Sequence, residues 1–224
     1  MTLSTPLLKS NSTPSCTLCL ANSPVVLYKN RYTYFHCLDC GLVFANPDER
    51  LSPHEEKKRY DQHQNSPDDS GYRNFLNQLF SPLSEVIPPN SFGLDYGSGP
   101  GPTLSVMFEE AGYRMNIYDP FYAQDSDVLQ KQYDFITTTE TAEHFYSPAE
   151  EFKKLWDLLK PGGFLGIMTL MLPNPEEFSS WHYIKDDTHV AFYSQKTFRW
   201  LADLWSAKLT LQGNRVIILQ KVIK

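Results

Sequence analysis

The stretch Leu94-Asp95-Tyr96-Gly97-Ser98-Gly99-Pro100-Gly101 decides the fold of this chain. The apolar lead-in over residues 92–94 predicts a short buried strand. Three glycines at alternate positions then allow positive φ and a close approach of the backbone to a bound molecule. Pro102 suits the first turn of a helix, and small and apolar residues continue along that helix until Gly112. The stretch therefore predicts a strand, a tight turn and the start of a helix.

The spacing of the glycines separates two classes of nucleotide-binding turn. Dinucleotide-binding turns have the pattern G-x-G-x-x-G, with the third glycine needed for helix packing and the helix N-terminus placed at a pyrophosphate. Here the third glycine, Gly101, comes one residue early, and Pro102 lacks an amide to donate to a phosphate. A G-x-G-x-G turn with an acid two residues upstream resembles motif I of class I S-adenosylmethionine (SAM) methyltransferases. A glycine-rich turn that binds nothing is the alternative for this motif taken alone.

The order of the elements downstream agrees with this resemblance. Residues 113–118 predict a second strand that ends in Asp119, and residues 133–139 predict a further strand. A helix is predicted over 147–159, followed by another strand over 164–172. Together the segments YDFITTTETAEHF and LLKPGGFLGIMT resemble the middle of the class I methyltransferase domain in both order and spacing.

The resemblance implies an α/β fold with a Rossmann-like sheet, parallel except for one reversed strand near the C-terminus. Residues 209–222 predict the terminal hairpin that contains the reversed strand. One interval departs from the family pattern, because only 13 residues separate Asp119 from Tyr133, where the family has a helix and a third strand. We therefore expect the third strand to be truncated, with residues 125–129 as its remnant, and assign no residue to the adenine-side contact.

Four cysteines form two C-x-x-C pairs, Cys16 with Cys19 and Cys37 with Cys40, separated by 17 residues. This pattern is typical of a structural zinc site in which four thiolates complete a tetrahedron. Disulfides would require an oxidising compartment, which no secretory signal indicates. A redox pair is a lesser alternative without a thioredoxin-like context. The sequence therefore predicts a small zinc ribbon with no open position for a substrate.

Composition and motifs divide the chain into four predicted parts. Residues 1–15 predict a disordered leader, 16–47 the zinc ribbon, 48–90 a helical linker or lid, and 91–224 the methyltransferase domain. The pattern CLDCGLVFANP, followed by two tyrosine-bearing helices and motif I, resembles bacterial methyltransferases with N-terminal zinc-binding modules. Some relatives of those proteins act on nucleotide-linked sugars or other small metabolites.

The resemblance implies a SAM site at the carboxyl ends of the strands. The residues that match the family's cofactor-binding positions are Asp95, Tyr96, Gly97, Ser98, Gly99, Gly101, Asp119 and Glu140. In Rossmann-like sheets an acid at the position of Asp119 binds the ribose hydroxyls. The resemblance also implies that Tyr60 and Tyr72, in the two preceding helices, form part of a lid over the cofactor, with plain packing as the alternative for each.

Methyl transfer requires the acceptor atom to lie in line with the methyl group, about 3 Å away, with water excluded. A hydroxyl or acidic-carbon acceptor also needs a general base, and histidine suits this role near neutral pH. We select His144 as the base, with Glu143 to orient it or act in its place. His189 and His182, in the polar insert after the fifth strand, are alternatives. Ordinary capping or core packing is the competing interpretation of His144.

The composition restricts the class of function. The chain has 224 residues and a net charge of −6, without an apolar run of the ~20 residues that a membrane span needs. We expect a cytoplasmic protein, monomeric or homodimeric, that uses SAM to methylate a small metabolite or sugar-type acceptor. One alternative is an RNA methyltransferase whose ribbon binds RNA, which the acidic charge disfavours. The other is a non-catalytic SAM-binding module, suggested by the short interval after Asp119.

Overall fold

The structure is a computed structural model that describes residues 13–22, 24–62 and 65–223, so most of the predicted leader lies outside it. The strands are β1 (Val25–Lys29), β2 (Thr33–His36), β3 (Val43–Ala45), β4 (Phe92–Tyr96), β5 (Arg114–Tyr118), β6 (Tyr133–Thr139), β7 (Leu159–Met168), β8 (Ala191–Phe192), β9 (Lys208–Gln212) and β10 (Val216–Gln220). The α-helices are α1 (Pro53–Tyr60), α2 (Ser70–Ser84), α3 (Thr103–Glu110), α4 (Pro148–Leu158) and α5 (Gln195–Trp205). Within the described ranges, none of these helices is long and apolar enough to cross a membrane.

The larger sheet has six strands in the order β5-β4-β6-β7-β10-β9. The strands β5, β4, β6 and β7 are parallel, whereas β10 runs antiparallel to both of its neighbours. This confirms the predicted Rossmann-like sheet with one reversed strand. In the sheet, β4 lies between β5 and β6, so the strand order reverses at β4. In open α/β sheets, such a switch point has a crevice at the carboxyl ends of the strands.

The edge of this sheet lacks the third strand of the family pattern. Residues 119–132 are all described, and they form a β-bridge between Asp119 and Ala123 followed by a 3-10 helix over Ser126–Gln130. Val128 of this helix is buried, and its carbonyl accepts a hydrogen bond from the Tyr133 hydroxyl at 2.7 Å. The remnant of the third strand is therefore helical, because the interval is too short for a helix and a strand, and β5 forms the edge of the sheet.

Helices cover both faces of the larger sheet. Because successive strand residues point to opposite faces, Phe135 joins the apolar cluster of α2 and α3, while Ile136 joins that of α4 and α5. The helix α2 lies close to β7, where a Cβ at Gly166 would come within 2.8 Å of the Leu83 side chain. The core is thus divided between two helical layers with the sheet between them.

A second, antiparallel sheet contains the ribbon strands in the order β1-β2-β3-β8. Its fourth strand, β8, comes from the insert that follows β7 and pairs with β3. The ribbon also packs against the helices, because Phe35 of β2 and Phe44 of β3 share a buried cluster with Phe152 of α4 and Leu201 of α5. The ribbon is therefore tied to the larger sheet's core by both backbone pairing and apolar packing.

We expect Phe152→Ala to lower the free energy of unfolding by about 3–5 kcal/mol in denaturant melts. The Phe152 side chain is fully buried, and its ring contacts those of Phe145 and Tyr193. The control is Leu204→Ala on α5, whose side chain is 59% exposed and whose loss should change stability by no more than about 0.5 kcal/mol. Equal effects of the two substitutions would contradict a shared core at Phe152.

Candidate functional site

A cavity of about 640 Å³ opens at the carboxyl ends of β4, β5 and β6. All the residues predicted to bind the cofactor and all but one of those considered for catalysis line it, namely Asp95, Tyr96, Gly97, Ser98, Gly99, Gly101, Asp119, Glu140, Glu143, His144 and His189. His182, the further alternative, does not line this cavity and is exposed. Tyr60 of α1 and Tyr72 of α2 also line the cavity, so the segment predicted as a lid lies against it.

The glycine turn is shaped by two close contacts and one open position. Gly97 has a φ of +79°, and a Cβ there would come within 2.2 Å of the Thr141 side chain. A Cβ at Gly101 would come within 2.2 Å of the backbone oxygen of Asn65. Gly99 also has a positive φ, +62°, but no atom of the described residues lies within 4 Å of its Cβ position. Two glycines therefore admit neighbouring chain segments, and Gly99 leaves free space at the cavity wall.

Asp119 holds the glycine turn against the end of β5. One carboxylate oxygen accepts a hydrogen bond from the Gly99 amide at 2.9 Å. The other accepts from the amides of Phe121 at 2.8 Å and Tyr122 at 3.1 Å. A carboxylate has about four acceptor sites, so Asp119 retains capacity for a ligand hydroxyl on the cavity side.

The Ser98 hydroxyl is an unsatisfied polar group in the turn. Its Oγ atom is buried and has no hydrogen-bond partner within the described part of the chain. Buried polar groups without a partner are uncommon in native proteins, and each needs an explanation such as strain, a catalytic role, or a bound water or ion. Ser98 is among the residues that line the cavity, so a rotation of its side chain would bring the hydroxyl to a ligand bound there.

The cavity lining is strongly acidic. Of the charged side chains described there, one is a lysine, Lys154, and eight are carboxylates. The carboxylates belong to Glu56, Asp95, Asp119, Glu140, Glu143, Glu150, Glu151 and Asp186. Such a field attracts cations and repels polyphosphates.

Two glutamates meet beyond the end of β6. Glu143 is fully buried, and its carboxylate accepts hydrogen bonds from the Thr169 hydroxyl at 2.9 Å and from the Tyr183 hydroxyl. Glu140 forms an ion pair with Arg215 at 3.1 Å. Burial, and next the charge of Glu143, raise the pKa of Glu140. Local sequence patterns do not predict Thr169, Tyr183 and Arg215 as partners, because nothing in their spacing connects them with the two glutamates.

The rings of His144 and His189 pack edge to face, with 4.8 Å between ring centroids. The Nδ1 atom of His144 lies 3.0 Å from the carbonyl oxygen of Thr188, and that of His189 lies 2.7 Å from the carbonyl oxygen of Tyr183. A carbonyl can only accept, so each Nδ1 carries a proton. Burial lowers the pKa of His144 to about 4. Its ring is therefore neutral near pH 7, with the lone pair on Nε2.

The four cysteines converge as the sequence pattern predicts. Their sulfur atoms lie within 4.8 Å of one another, with 3.6 Å between Cys16 and Cys40 and 3.4 Å between Cys19 and Cys37. All four are free thiols. Four sulfurs at about 2.3 Å from a tetrahedral zinc ion lie about 3.8 Å apart. The cluster therefore suggests a four-thiolate metal site, and Gly41 closes the second turn with a φ of +78°.

We expect Asp95→Asn to stabilise the ligand-free protein at neutral pH. Asp95 is buried, and its side chain accepts a hydrogen bond from the Thr137 hydroxyl at 2.8 Å. Burial raises the pKa of Asp95 to about 6. Because an unfolded aspartate titrates near ~3.9, the native state binds more protons, and the free energy of unfolding falls as pH rises from about 4 through about 6. The variant should lose this fall and gain about 3 kcal/mol at pH 7.

Denaturant melts between about pH 4 and pH 8 measure this effect on both sides of the Asp95 pKa. Asp203→Asn, at an exposed position of α5, is the matched control and should keep the pH dependence of the parent. If Asp95→Asn also kept it, burial would not control the ionisation of Asp95.

The chain is similar to several solved structures. A 1,6-didemethyltoxoflavin-N1-methyltransferase from Burkholderia thailandensis, solved with 1,6-didemethyltoxoflavin and S-adenosylhomocysteine, has a similar fold. Its TM-score is 0.50 at 15% identity, covering 84% of this chain and 98% of that chain. A SAM-dependent methyltransferase from Aquifex aeolicus has a TM-score of 0.46 at 18% identity, with 78% and 100% covered.

Sequence comparisons locate the family relationship. A search of curated proteins found no match. A family model described as a methyltransferase domain matches residues 69–205, which is more than half of the chain and contains the glycine turn and seven of the eight acids that line the cavity. The chain therefore belongs to the methyltransferase-domain family and has the Rossmann-like fold of class I SAM-dependent methyltransferases.

Proposed function

We propose that this protein transfers the methyl group of SAM to a small-molecule acceptor. The observation that carries the proposal is the glycine turn at the carboxyl end of β4, with its unpartnered Ser98 hydroxyl in the wall of an acidic cavity. An acidic cavity matches the cationic sulfonium of SAM and does not match a pyrophosphate. The toxoflavin methyltransferase with the similar fold was solved with the demethylated form of this cofactor bound.

Each group of cofactor atoms has a proposed partner in the cavity. Asp119 accepts hydrogen bonds from the ribose hydroxyls with the acceptor capacity that its backbone partners leave free. The turn from Gly97 to Gly101 lies along the amino-acid portion, where Ser98 gains its missing partner. Asp95, Tyr96 and Glu140 border the methionine end, close to the sulfonium.

The acceptor occupies the end of the cavity lined by Glu143, His144 and His189. In the transfer, the bond between the methyl carbon and sulfur breaks as the acceptor atom bonds to that carbon. The products are the methylated acceptor and S-adenosylhomocysteine. A neutral acceptor also releases a proton, which the lone pair of His144 Nε2 accepts. The ring of Tyr60 packs edge-on to His144, with 5.1 Å between centroids, and helps to exclude water.

The ribbon serves the site indirectly. We infer that the four cysteines bind one structural zinc ion, since four thiolates complete its coordination and leave no position for a substrate. Zinc would fix the ribbon sheet, whose strand β3 pairs with β8 of the insert. His189 lies two residues before β8, so the ribbon holds that wall of the acceptor end in place. The acidic cavity gives no support to RNA as the acceptor.

Gly99→Leu should lower the affinity for SAM by at least about 100-fold, or about 2.8 kcal/mol. The new side chain would project into the open space of the cavity wall. Gly213→Leu is the matched control, because Gly213 also has a positive φ, +58°, and open space around it but lies in the β9–β10 turn. Titration calorimetry with SAM measures both variants. Equal affinities in the two variants, or no binding by the parent protein, would refute the proposed cofactor site.

Replacing Cys16 and Cys37 together by serine should remove one zinc ion per chain, measured by elemental analysis after dialysis. The loss should also lower the melting temperature, because a structural zinc site contributes directly to folding. Ser15→Ala, beside the first cysteine but outside the ligand set, is the control and should retain the zinc ion. Full zinc content in the double variant would contradict the four-thiolate assignment.

A further inference from the structure

We propose that Glu143, His144 and His189 bind a divalent transition-metal ion at the acceptor end of the cavity. Each of the three side chains offers one ligand atom, and these atoms lie within 4.8 Å of one another. Nitrogen and oxygen ligands of such ions lie about 2.0–2.2 Å from the metal. They are then about 3–4 Å apart, so movements of about 1 Å would bring the three side chains into coordination.

The hydrogen bonds of the two histidines orient them as metal ligands. The Nδ1–H groups of His144 and His189 donate to the carbonyls of Thr188 and Tyr183, which leaves Nε2 of each ring available. Metal-binding histidines almost always donate their other ring N–H to a carbonyl or carboxylate in this way. The third ligand is supported similarly, because Thr169 and the Tyr183 side chain donate to the Glu143 carboxylate. All three ligands are thus held by partners outside the coordination sphere.

The local charge favours a cation at this position. Glu143 is fully buried, and no lysine or arginine among the described residues forms an ion pair with it. The nearby cation, Arg215, pairs with Glu140 instead. A buried carboxylate is costly unless it is paired with a positive charge or coordinates a metal. Its two hydroxyl donors offset part of that cost, and a bound divalent ion would supply the missing positive charge.

The donor set indicates the kind of ion and the kind of ligand that it would hold. Two imidazoles and one carboxylate suit zinc, manganese, iron or cobalt better than magnesium or calcium, which prefer oxygen ligands throughout. Three protein ligands leave coordination positions open, and the cavity is the space next to them. If the proposed methyltransferase function holds, an acceptor oxygen occupies one of these positions. His144 Nε2 is then a metal ligand, in place of its direct role as a base.

Equilibrium dialysis of the full chain against micromolar Mn²⁺, Co²⁺ or Zn²⁺, followed by elemental analysis, tests the inference. We expect the parent protein to bind one metal ion per chain more than the His144→Ala/His189→Ala double variant, with at least one of the three metals. Loss of supporting hydrogen bonds alone weakens metal sites by about 10–100-fold, so loss of two ligands should raise the Kd by more than about 100-fold. Because the result is a difference between two proteins, zinc in the cysteine cluster cancels.

Two further variants test whether the bound ion depends on the proposed ligands in particular. His182→Ala removes an exposed histidine of the same insert and should keep the metal content of the parent. Glu143→Gln keeps the size of a buried side chain but removes its charge, and should also lose the ion while keeping the circular dichroism spectrum of the parent. Equal metal content in the parent and in both the double variant and Glu143→Gln would overturn the inference, whether all of them bind the ion or none does.

SAM titrations of the same proteins separate this inference from the proposed function. A parent protein that binds SAM but shows no extra metal ion would refute the metal site alone. Retention of the histidine-dependent ion without SAM binding would refute the cofactor proposal and leave the metal site standing. If His144 acts only as a base, its replacement would abolish turnover while metal content stays constant, which also overturns the inference.

Discussion

The close approach of three chain segments at the glycine turn is the constraint on which the rest of the site depends. A side chain at Gly97 would overlap Thr141, and one at Gly101 would overlap the backbone of Asn65. Thr141 begins the segment that carries Glu143 and His144, while Asn65 precedes the helix α2. Larger residues at these glycines would push both segments outward. The cavity would then lose the wall that carries its buried acids and the wall formed by the predicted lid.

The second organising feature is negative charge gathered at the carboxyl ends of parallel strands. Three of these acids have different partners: Asp119 has backbone amides, Glu140 has Arg215, and Glu143 has two hydroxyls. The insert that supplies Tyr183 and His189 is itself attached to the ribbon through the pairing of β8 with β3. A distant cysteine cluster can therefore influence the geometry of the acceptor end, because one small sheet connects them.

The sequence predicted the features that depend on local patterns. The glycine spacing, the acids that end strands, and the paired cysteines each correspond to one turn or one strand end, and the predicted residues do line one cavity or form one cluster. The 13-residue interval after Asp119 predicted a shortened third strand, but not the 3-10 helix that replaces it. Contacts distant in sequence were missed: Tyr183 with Glu143, and β8 with the ribbon. Those depend on how the insert folds back, which periodicity does not encode.

A crystal structure with S-adenosylhomocysteine bound tests the central claim most directly, because it reports the position of every part of the ligand at once. The account predicts the ribose at Asp119, the amino-acid portion along residues 97–101 with a hydrogen bond to Ser98 Oγ, and the sulfur facing the end of the cavity that holds His144. A ligand bound elsewhere, or a Ser98 hydroxyl that makes no hydrogen bond to the ligand at saturation, would contradict it.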